Sequence, residues 1–245
     1  MKSTMNRKSA DYRRELLIDS HIYPVILSDD QETLLAVKAA GGVSVGLVGK
    51  GQENKLWGVD YVIEADSADE VEDWYLERIV RRHLGLPWTI ATTKRLIIRE
   101  FTVEDAGNVL KETEEETAGD QVFYTPELLA AYIRSQYRFC EYGIWAVVRK
   151  EDGVLVGTAG VSPAGSSGEI PEGKDEESLE LGYHIFRPYR RNGYATEACQ
   201  AVIQYVKEEL KCSLTAAVKP DNTGSVRLLE KLGISYYFAD SGARI

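Results

Sequence analysis

A polar, basic start (Met1–Glu15) gives way to an apolar run, Tyr23–Leu27, that breaks at Ser28-Asp29-Asp30. Apolar positions then recur at helical spacing over Glu32–Ala40, and Gly41-Gly42 stops that pattern. Val43–Val48 reads as a buried strand, and a shorter strand follows at Val59–Glu64. The last helix of this stretch spans Ser67–Leu84, with Val71, Trp74, Tyr75, Ile79 and Val80 at helical spacing, before Gly85 and Pro87 close it. Residues 1–20 read as a polar, partly helical lead-in. Strand, helix, strand, strand, helix predicts a small α/β layer with parallel pairing, ending near Ile90.

The pattern restarts at Thr93. Leu96, Ile98 and Phe101 mark a strand, and Thr102 caps a helix whose first turn holds Glu104 and Asp105. A second helix runs from about Thr125 to about Cys140, with Pro126 at its first position. Strands at Ile144–Arg149 and Val154–Val161 flank the hairpin signal Glu151-Asp152-Gly153. Ser162–Ser178, rich in Ser, Gly, Pro and acid, reads as a mobile surface loop. There follow a strand (Leu179–Phe186), a glycine-containing turn (Pro188–Tyr194), a helix (Ala195–Leu210), a strand (Ser213–Val218), a helix (Thr223–Leu232) and a strand near Tyr236–Ala239. The chain therefore divides into a small α/β unit, residues 1–92, and a larger α/β unit, residues 93–245.

Charge narrows the function classes. Acidic residues outnumber basic ones 39 to 29, and both parts share the excess: 15 to 11 up to residue 92, 24 to 18 beyond it. No basic domain hides behind an acidic tail, which argues against a duplex nucleic-acid binder. A negative surface tends instead to attract cationic substrates such as amines. Cys140, Cys199 and Cys212 are scattered, with neither a disulfide framework nor metal-ligand spacing, and no metal is expected. No apolar stretch approaches a membrane span and the start lacks an apolar secretion segment, so a cytoplasmic, reducing location without a membrane partner is expected.

The segment that carries chemistry is Leu179–Leu210. A strand leads through Arg190-Arg191-Asn192-Gly193-Tyr194-Ala195 into a helix. A short turn with Gly193 and the small Ala195 lets backbone N–H groups converge on one point, and the helix adds its unpaired donors and positive dipole end. That is an anion cradle suited to a pyrophosphate, with Arg190 and Arg191 as charged supplements.

Arg190-x-x-Gly193-x-Ala195 resembles the acetyl-CoA signature of the GNAT superfamily of N-acetyltransferases. Leu179-Glu180-Leu181-Gly182-Tyr183 resembles that family's fourth strand. Asn222-Thr223-Gly224-Ser225 with Leu229-Glu230-Lys231-Leu232-Gly233 resembles the segment after its fifth strand. The order of elements from Thr93 to Ala239 is also the family's, with most likeness to the branch of ribosomal-protein alanine N-acetyltransferases. The resemblance implies an α/β fold: a mixed sheet with splayed central strands flanked by helices, preceded here by the small α/β unit. It implies acetyl-CoA as cosubstrate, with the pantetheine arm on the strand edge Tyr183–Ile185. The pyrophosphate would lie on the amides of Arg191, Asn192, Gly193, Tyr194, Ala195 and Thr196, and Asn222 matches a further cofactor contact. It implies Glu180 as the base that frees a primary amine for direct attack, with no covalent enzyme intermediate, so Cys199 and Cys212 are expected to be packing residues.

Two departures qualify that picture. Leu229 stands where many members carry a tyrosine that protonates the leaving thiolate, which leaves Ser225 as the nearest polar candidate. Only twelve residues follow Gly233, room for a sixth strand but hardly for the seventh that walls the acceptor site. Another chain, as in a homodimer, then completes that wall, or activity is impaired and the chain is a weak acetyl-CoA-binding or regulatory module. The acceptor implied is an amine: a peptide N-terminus, a polyamine or another small amine. The acidic run from Lys111-Glu112 to Glu116 either receives a basic acceptor or forms a solvated helix face. The first unit resembles a fragment of the haloacid-dehalogenase-like fold. It lacks that fold's Asp-x-Asp-x-Thr nucleophile motif and is expected to be non-catalytic, a regulatory or dimerising module.

Overall fold

The computed structural model describes residues 11–112, 120–166 and 178–239, arranged in two compact units, Met1–Leu86 and Pro87–Ile245. In the first, β1 (Tyr12–Ile18), β2 (His21–Ser28), β3 (Val43–Val48) and β4 (Val62–Glu64) lie in that order in one sheet. Pairing from β2 to β4 is parallel, with α1 (Gln31–Ala39) crossing between β2 and β3 and α2 (Asp73–His83) following β4. Val25, Leu27, Val45, Leu76, Ile79 and Val80 form its core. Part of the expected lead-in is a strand instead: Leu16 and Ile18 are buried, and β1 pairs antiparallel with β2. The two-residue turn Asp19-Ser20 joins them with both residues left-handed (φ 48° and 69°), the hairpin geometry that Asn-Gly normally announces and Asp-Ser conceals.

The second unit is a seven-stranded mixed sheet in the order β11-β10-β9-β8-β7-β6-β5. Its strands are β5 (Thr89–Thr92), β6 (Leu96–Arg99), β7 (Ile144–Arg149), β8 (Leu155–Pro163), β9 (Leu179–Ile185), β10 (Leu214–Val218) and β11 (Ser235–Phe238). Because β5 pairs antiparallel with β6, the junction falls at Leu86/Pro87 rather than at 92/93. Thr102 and Asp105 form a capping box, but the expected helix is a short 3-10 segment, Val103–Asn108. Gly107 and Asn108 are poor helix formers and do not extend it. The helix α3 (Pro126–Tyr132) continues through π-helical turns to Cys140. Its Tyr137 is fully buried, donating to the Ile144 carbonyl at 2.6 Å. The helix α4 (Tyr194–Tyr205) packs on β5, β6, β8 and β9, and α5 (Thr223–Leu232) on β10 and β11.

One feature of this sheet positions the site. β8 follows β9 along its whole length, from Pro163↔Leu179 to Gly157↔Ile185. On its other side β9 pairs with β10 at two positions alone, Leu214↔Leu179 and Thr215↔Glu180. Beyond Glu180 the two parallel strands part. The centre of the expected loop, residues 167–177, and the acidic positions 114–116 lie outside the described residues.

Candidate functional site

The parting leaves one edge of β9 without a strand partner. Leu179 donates its N–H toward β10, to the Ser213 carbonyl, whereas Phe186 donates toward β8, to the Val156 carbonyl. Strand alternation then turns the N–H and C=O of Leu181, Tyr183 and Ile185 toward the gap. The Ile185 carbonyl is taken by Arg190 Nε at 2.7 Å. The Tyr183 hydroxyl is buried and finds no acceptor among the described residues. Burial pushes its pKa up, and a hydrogen bond from the Ser225 side chain on α5 pulls the other way. A buried phenol without an acceptor beside an open strand edge fits a polar ligand threaded through the gap.

At the far end of β9 the chain passes through Arg187–Tyr189 and Arg190–Asn192 into α4. Arg191 and Gly193 are both left-handed (φ 65° and 78°), and Gly193 sits at the N-cap position with no side chain to close the helix. The first N–H groups of α4 are thereby left uncapped, and a Cβ at Gly193 would meet only Arg95 Nη2, at 3.4 Å. Arg191 is exposed, whereas the Arg190 guanidinium is committed to the Ile185 carbonyl and to Glu112 Oε2 at 3.0 Å. Arg190 therefore braces the turn, and its side chain is not a free charged supplement. The Asn192 amide likewise donates inward, to the Tyr189 and Arg190 carbonyls at 3.1 Å each.

Two clamps on this turn escape the sequence reading. Glu197, in the first turn of α4, accepts from Thr93 Oγ1 (2.6 Å), Arg95 N (2.8 Å) and Arg95 Nε (2.7 Å). Burial pushes its carboxyl up, but these hydrogen bonds and the guanidinium outweigh it and hold the pKa below the usual range. Arg95 also donates to the Asn192 carbonyl at 2.8 Å and covers the Tyr194 ring at 4.7 Å. The second clamp is Glu112. Its oxygens meet the Arg187 N–H, Arg190, and His184 Nε2 at 2.9 Å, with its side chain 9% exposed. Glu112 is thus neither an acceptor-binding carboxylate nor part of a solvated helix face. No local motif signals either clamp, because the partners lie 102 and 72 residues away.

Glu180 and Ser225 stand on opposite faces of β9. Glu180 shares its face with Thr215, its register partner on β10, and with Tyr237 of β11, whose hydroxyl donates to Glu180 Oε2 at 2.7 Å. Ser225 lies on the α5 side with Tyr183. The gap runs between them. On the Glu180 face, a Cβ at Gly182 would crowd Ile144 Cδ1 at 3.2 Å. Asn222 is the N-cap of α5, its Oδ1 accepting from Ser225 N at 3.1 Å. Cys199 is a buried packing residue, its thiol pushed by burial up to about 12, while Cys212 is exposed rather than packed. Among the described residues no cluster of His, Cys, Asp and Glu is placed to hold a metal ion, and no helix is long and apolar enough to cross a membrane.

Comparison with known proteins meets this geometry. The chain is similar to the uncharacterized N-acetyltransferase YnaD of Bacillus subtilis, 29% identical over 150 residues that cover 58% of this chain and 81% of YnaD. It is also similar to the uncharacterized N-acetyltransferase YjdG of the same organism, 31% identical over 90 residues, 36% of this chain and about half (49%) of that protein. Among solved structures, a GNAT-family acetyltransferase from Bacillus anthracis aligns with 25% identity and a TM-score of 0.42, covering 58% of this chain and 81% of that one. The profile of the acetyltransferase (GNAT) domain matches residues 95–235, more than half of the chain and the whole stretch from β6 to the start of β11. The chain belongs to the GNAT family of acetyltransferases.

Proposed function

We propose that this acetyltransferase moves the acetyl group of acetyl-CoA to a primary amine, a protein N-terminus or a small amine such as a polyamine, without a covalent enzyme intermediate. The observation that carries the reading is the parting of β9 from β10 just beyond Glu180, beside an α4 whose first N–H groups no side chain caps. Acetyl-CoA, when bound, supplies an activated thioester and an anionic pyrophosphate. The backbone amides of Arg191–Thr196 would hold the phosphates, with the exposed Arg191 as the charged supplement. The edge Tyr183–Ile185 would pair with the arm, and the Tyr183 hydroxyl would find there the acceptor it lacks. Asn222 serves this site by capping α5 and so fixing Ser225.

A primary amine is protonated at neutral pH and needs a proton acceptor within reach. Glu180 is the carboxylate at the point where β9 and β10 part, and we assign it that role. The Tyr183 N–H, turned to the gap, would donate to the developing oxyanion. Leu229 is buried and supplies no proton. A thiol of pKa about 8.5 leaves largely as thiolate, so Ser225 needs only to hydrogen-bond the departing sulfur. For residues 1–86 we propose a non-catalytic accessory unit, similar to a piece of the haloacid-dehalogenase-like fold. Its Asp30 carboxylate is spent on capping α1 rather than on a ligand.

Thermal unfolding with and without acetyl-CoA tests the site, since ligand at about 100 times its dissociation constant adds about 2.7 kcal/mol. No shift at millimolar acetyl-CoA would overturn the cradle. Product detection with N-terminal peptides and spermine then separates the acceptor classes. Glu180→Gln should lower turnover about 100-fold at neutral pH and less at high pH.

A further inference from the structure

Glu180 is 3% exposed, and among the described residues its single hydrogen bond comes from Tyr237. A base must present a free oxygen to the amine in a fixed direction. The groups facing the carboxylate decide that direction. On β8 its register partner is Ser162 and on β10 it is Thr215, neither of them charged. Along β9 the same face carries Gly182 and then His184, which is held by Glu112. From β11 comes Tyr237, itself 6% exposed, with the Gly165 backbone beside its hydroxyl. Tyr237 is therefore the titratable side chain, among the described residues, that is hydrogen-bonded to the carboxylate.

We propose that Tyr237 is the positioning residue that holds and aims the Glu180 carboxylate: its hydroxyl occupies Oε2 and leaves Oε1 for the acceptor amine. The idea rests on Glu180 being the base. Burial and the neighbouring carboxylate push the Tyr237 phenol up to about 12, so it stays a donor throughout the working pH range and never competes as a base. A donor fixed on the charged form stabilises that form over the neutral one. The sequence hides this partnership because the two residues are 57 positions apart on strands that do not pair with each other.

NMR titration of 13C-labelled glutamate side chains in the full chain reads the Glu180 midpoint without any acceptor, its signal assigned by loss in Glu180→Gln. Tyr237→Phe should raise that midpoint by about one pH unit, a tenfold change in the ionisation constant. With whichever amine turns over best, the acid limb of the pH–rate profile should move up by the same amount. Turnover should recover toward wild type at high pH, and the acetyl-CoA thermal shift should be unchanged. A folded Tyr237→Phe whose midpoint and acid limb stay in place overturns the proposal. Should Tyr237→Phe not fold, 3-fluorotyrosine at position 237 keeps the shape and strengthens the donor, so the midpoint must fall; an unmoved midpoint is again fatal. Failure of the base reading looks different: Glu180→Gln would then keep wild-type turnover while the midpoint still responded to position 237.

Discussion

β2 runs into α1 through Ser28-Asp29-Asp30, and β9 runs into α4 through Phe186–Gly193; the two strand-to-helix turns treat their helix donors in opposite ways. At α1, Asp30 Oδ2 accepts from Thr33 N at 2.9 Å, and Ser28 Oγ accepts from Asp30 N at 3.0 Å. The Thr33 backbone bond holds the Asp30 carboxyl below its usual range. The helix end is closed by its own side chains. At α4 the capping position is a left-handed glycine, and the acidic residue of the first turn, Glu197, points away to Thr93 and Arg95. Arg95, Arg190 and Asn192 brace the backbone of that turn, and among the described residues no side chain caps its amides. One end spends its donors on stability, while the other leaves them open, in our proposal for an anion, and places the stabilising contacts behind the loop.

The largest effect should come from closing the open end. Gly193→Glu adds charge and bulk where the amides converge, and acetyl-CoA affinity should fall more than about 100-fold by calorimetry. The unliganded fold should survive, losing about 1–2 kcal/mol to a side chain on a left-handed backbone. Unchanged affinity would mean that the α4 end is not the phosphate cradle. Next is loosening the brace. Arg95→Ala removes the guanidinium's bonds to Asn192 and Glu197, leaving the Arg95 backbone bond to Glu197 and the amides untouched, and should weaken acetyl-CoA about tenfold, or about 1.4 kcal/mol. Glu197→Gln should do less at neutral pH but should change the acid response. The Glu197 pKa is lowered in the fold, so its contribution is full above the unfolded carboxylate value and is lost as pH falls through the folded one. Wild type should therefore lose loop stability in acid by a step that Glu197→Gln lacks, and a shared step would assign it to another carboxylate.

What the chain reveals about itself follows the reach of the interactions. Val43–Val48, the helix from Thr125 to Cys140, the hairpin at Asp152-Gly153 and the strand-turn-helix around Gly193 are all visible in sequence, because each is set by periodicity or by neighbours within a few residues. The Asn222 cap is similarly local. The hairpin at Asp19-Ser20 is hidden because its turn residues lack the usual glycine, and Val103–Asn108 passes for an α-helix because its cap is sound while its body is short. Within the candidate site, the turn at Gly193 and the strand bearing Glu180 are legible, whereas the clamps of Glu197, Glu112 and Tyr237 come from far along the chain. Arg190 carries the clearest lesson: its place in the motif suggests a phosphate ligand, and its guanidinium instead ties the end of β9 to Glu112. Spacing reports where a residue stands; its partner decides what the side chain does.

The smallest effect should come from opening the closed end. Asp30→Ala removes the cap of α1 and should lower Tm by a few degrees while leaving acetyl-CoA affinity as in wild type. The pH dependence identifies the cause. Because the Asp30 pKa is lowered in the fold, its stabilisation is present above the ordinary carboxylate range and fades as pH falls through the lowered value. The Tm difference between Asp30→Ala and wild type should therefore close in acid and hold steady from pH 5 upward. A difference that persists in acid would mean that the alanine perturbs β2 or α1 in some way unrelated to the cap. A loss of acetyl-CoA affinity matching that of Arg95→Ala would be more damaging. The α1 end would then serve the ligand too, and the division between a helix end that stabilises and a helix end that binds would no longer describe this chain.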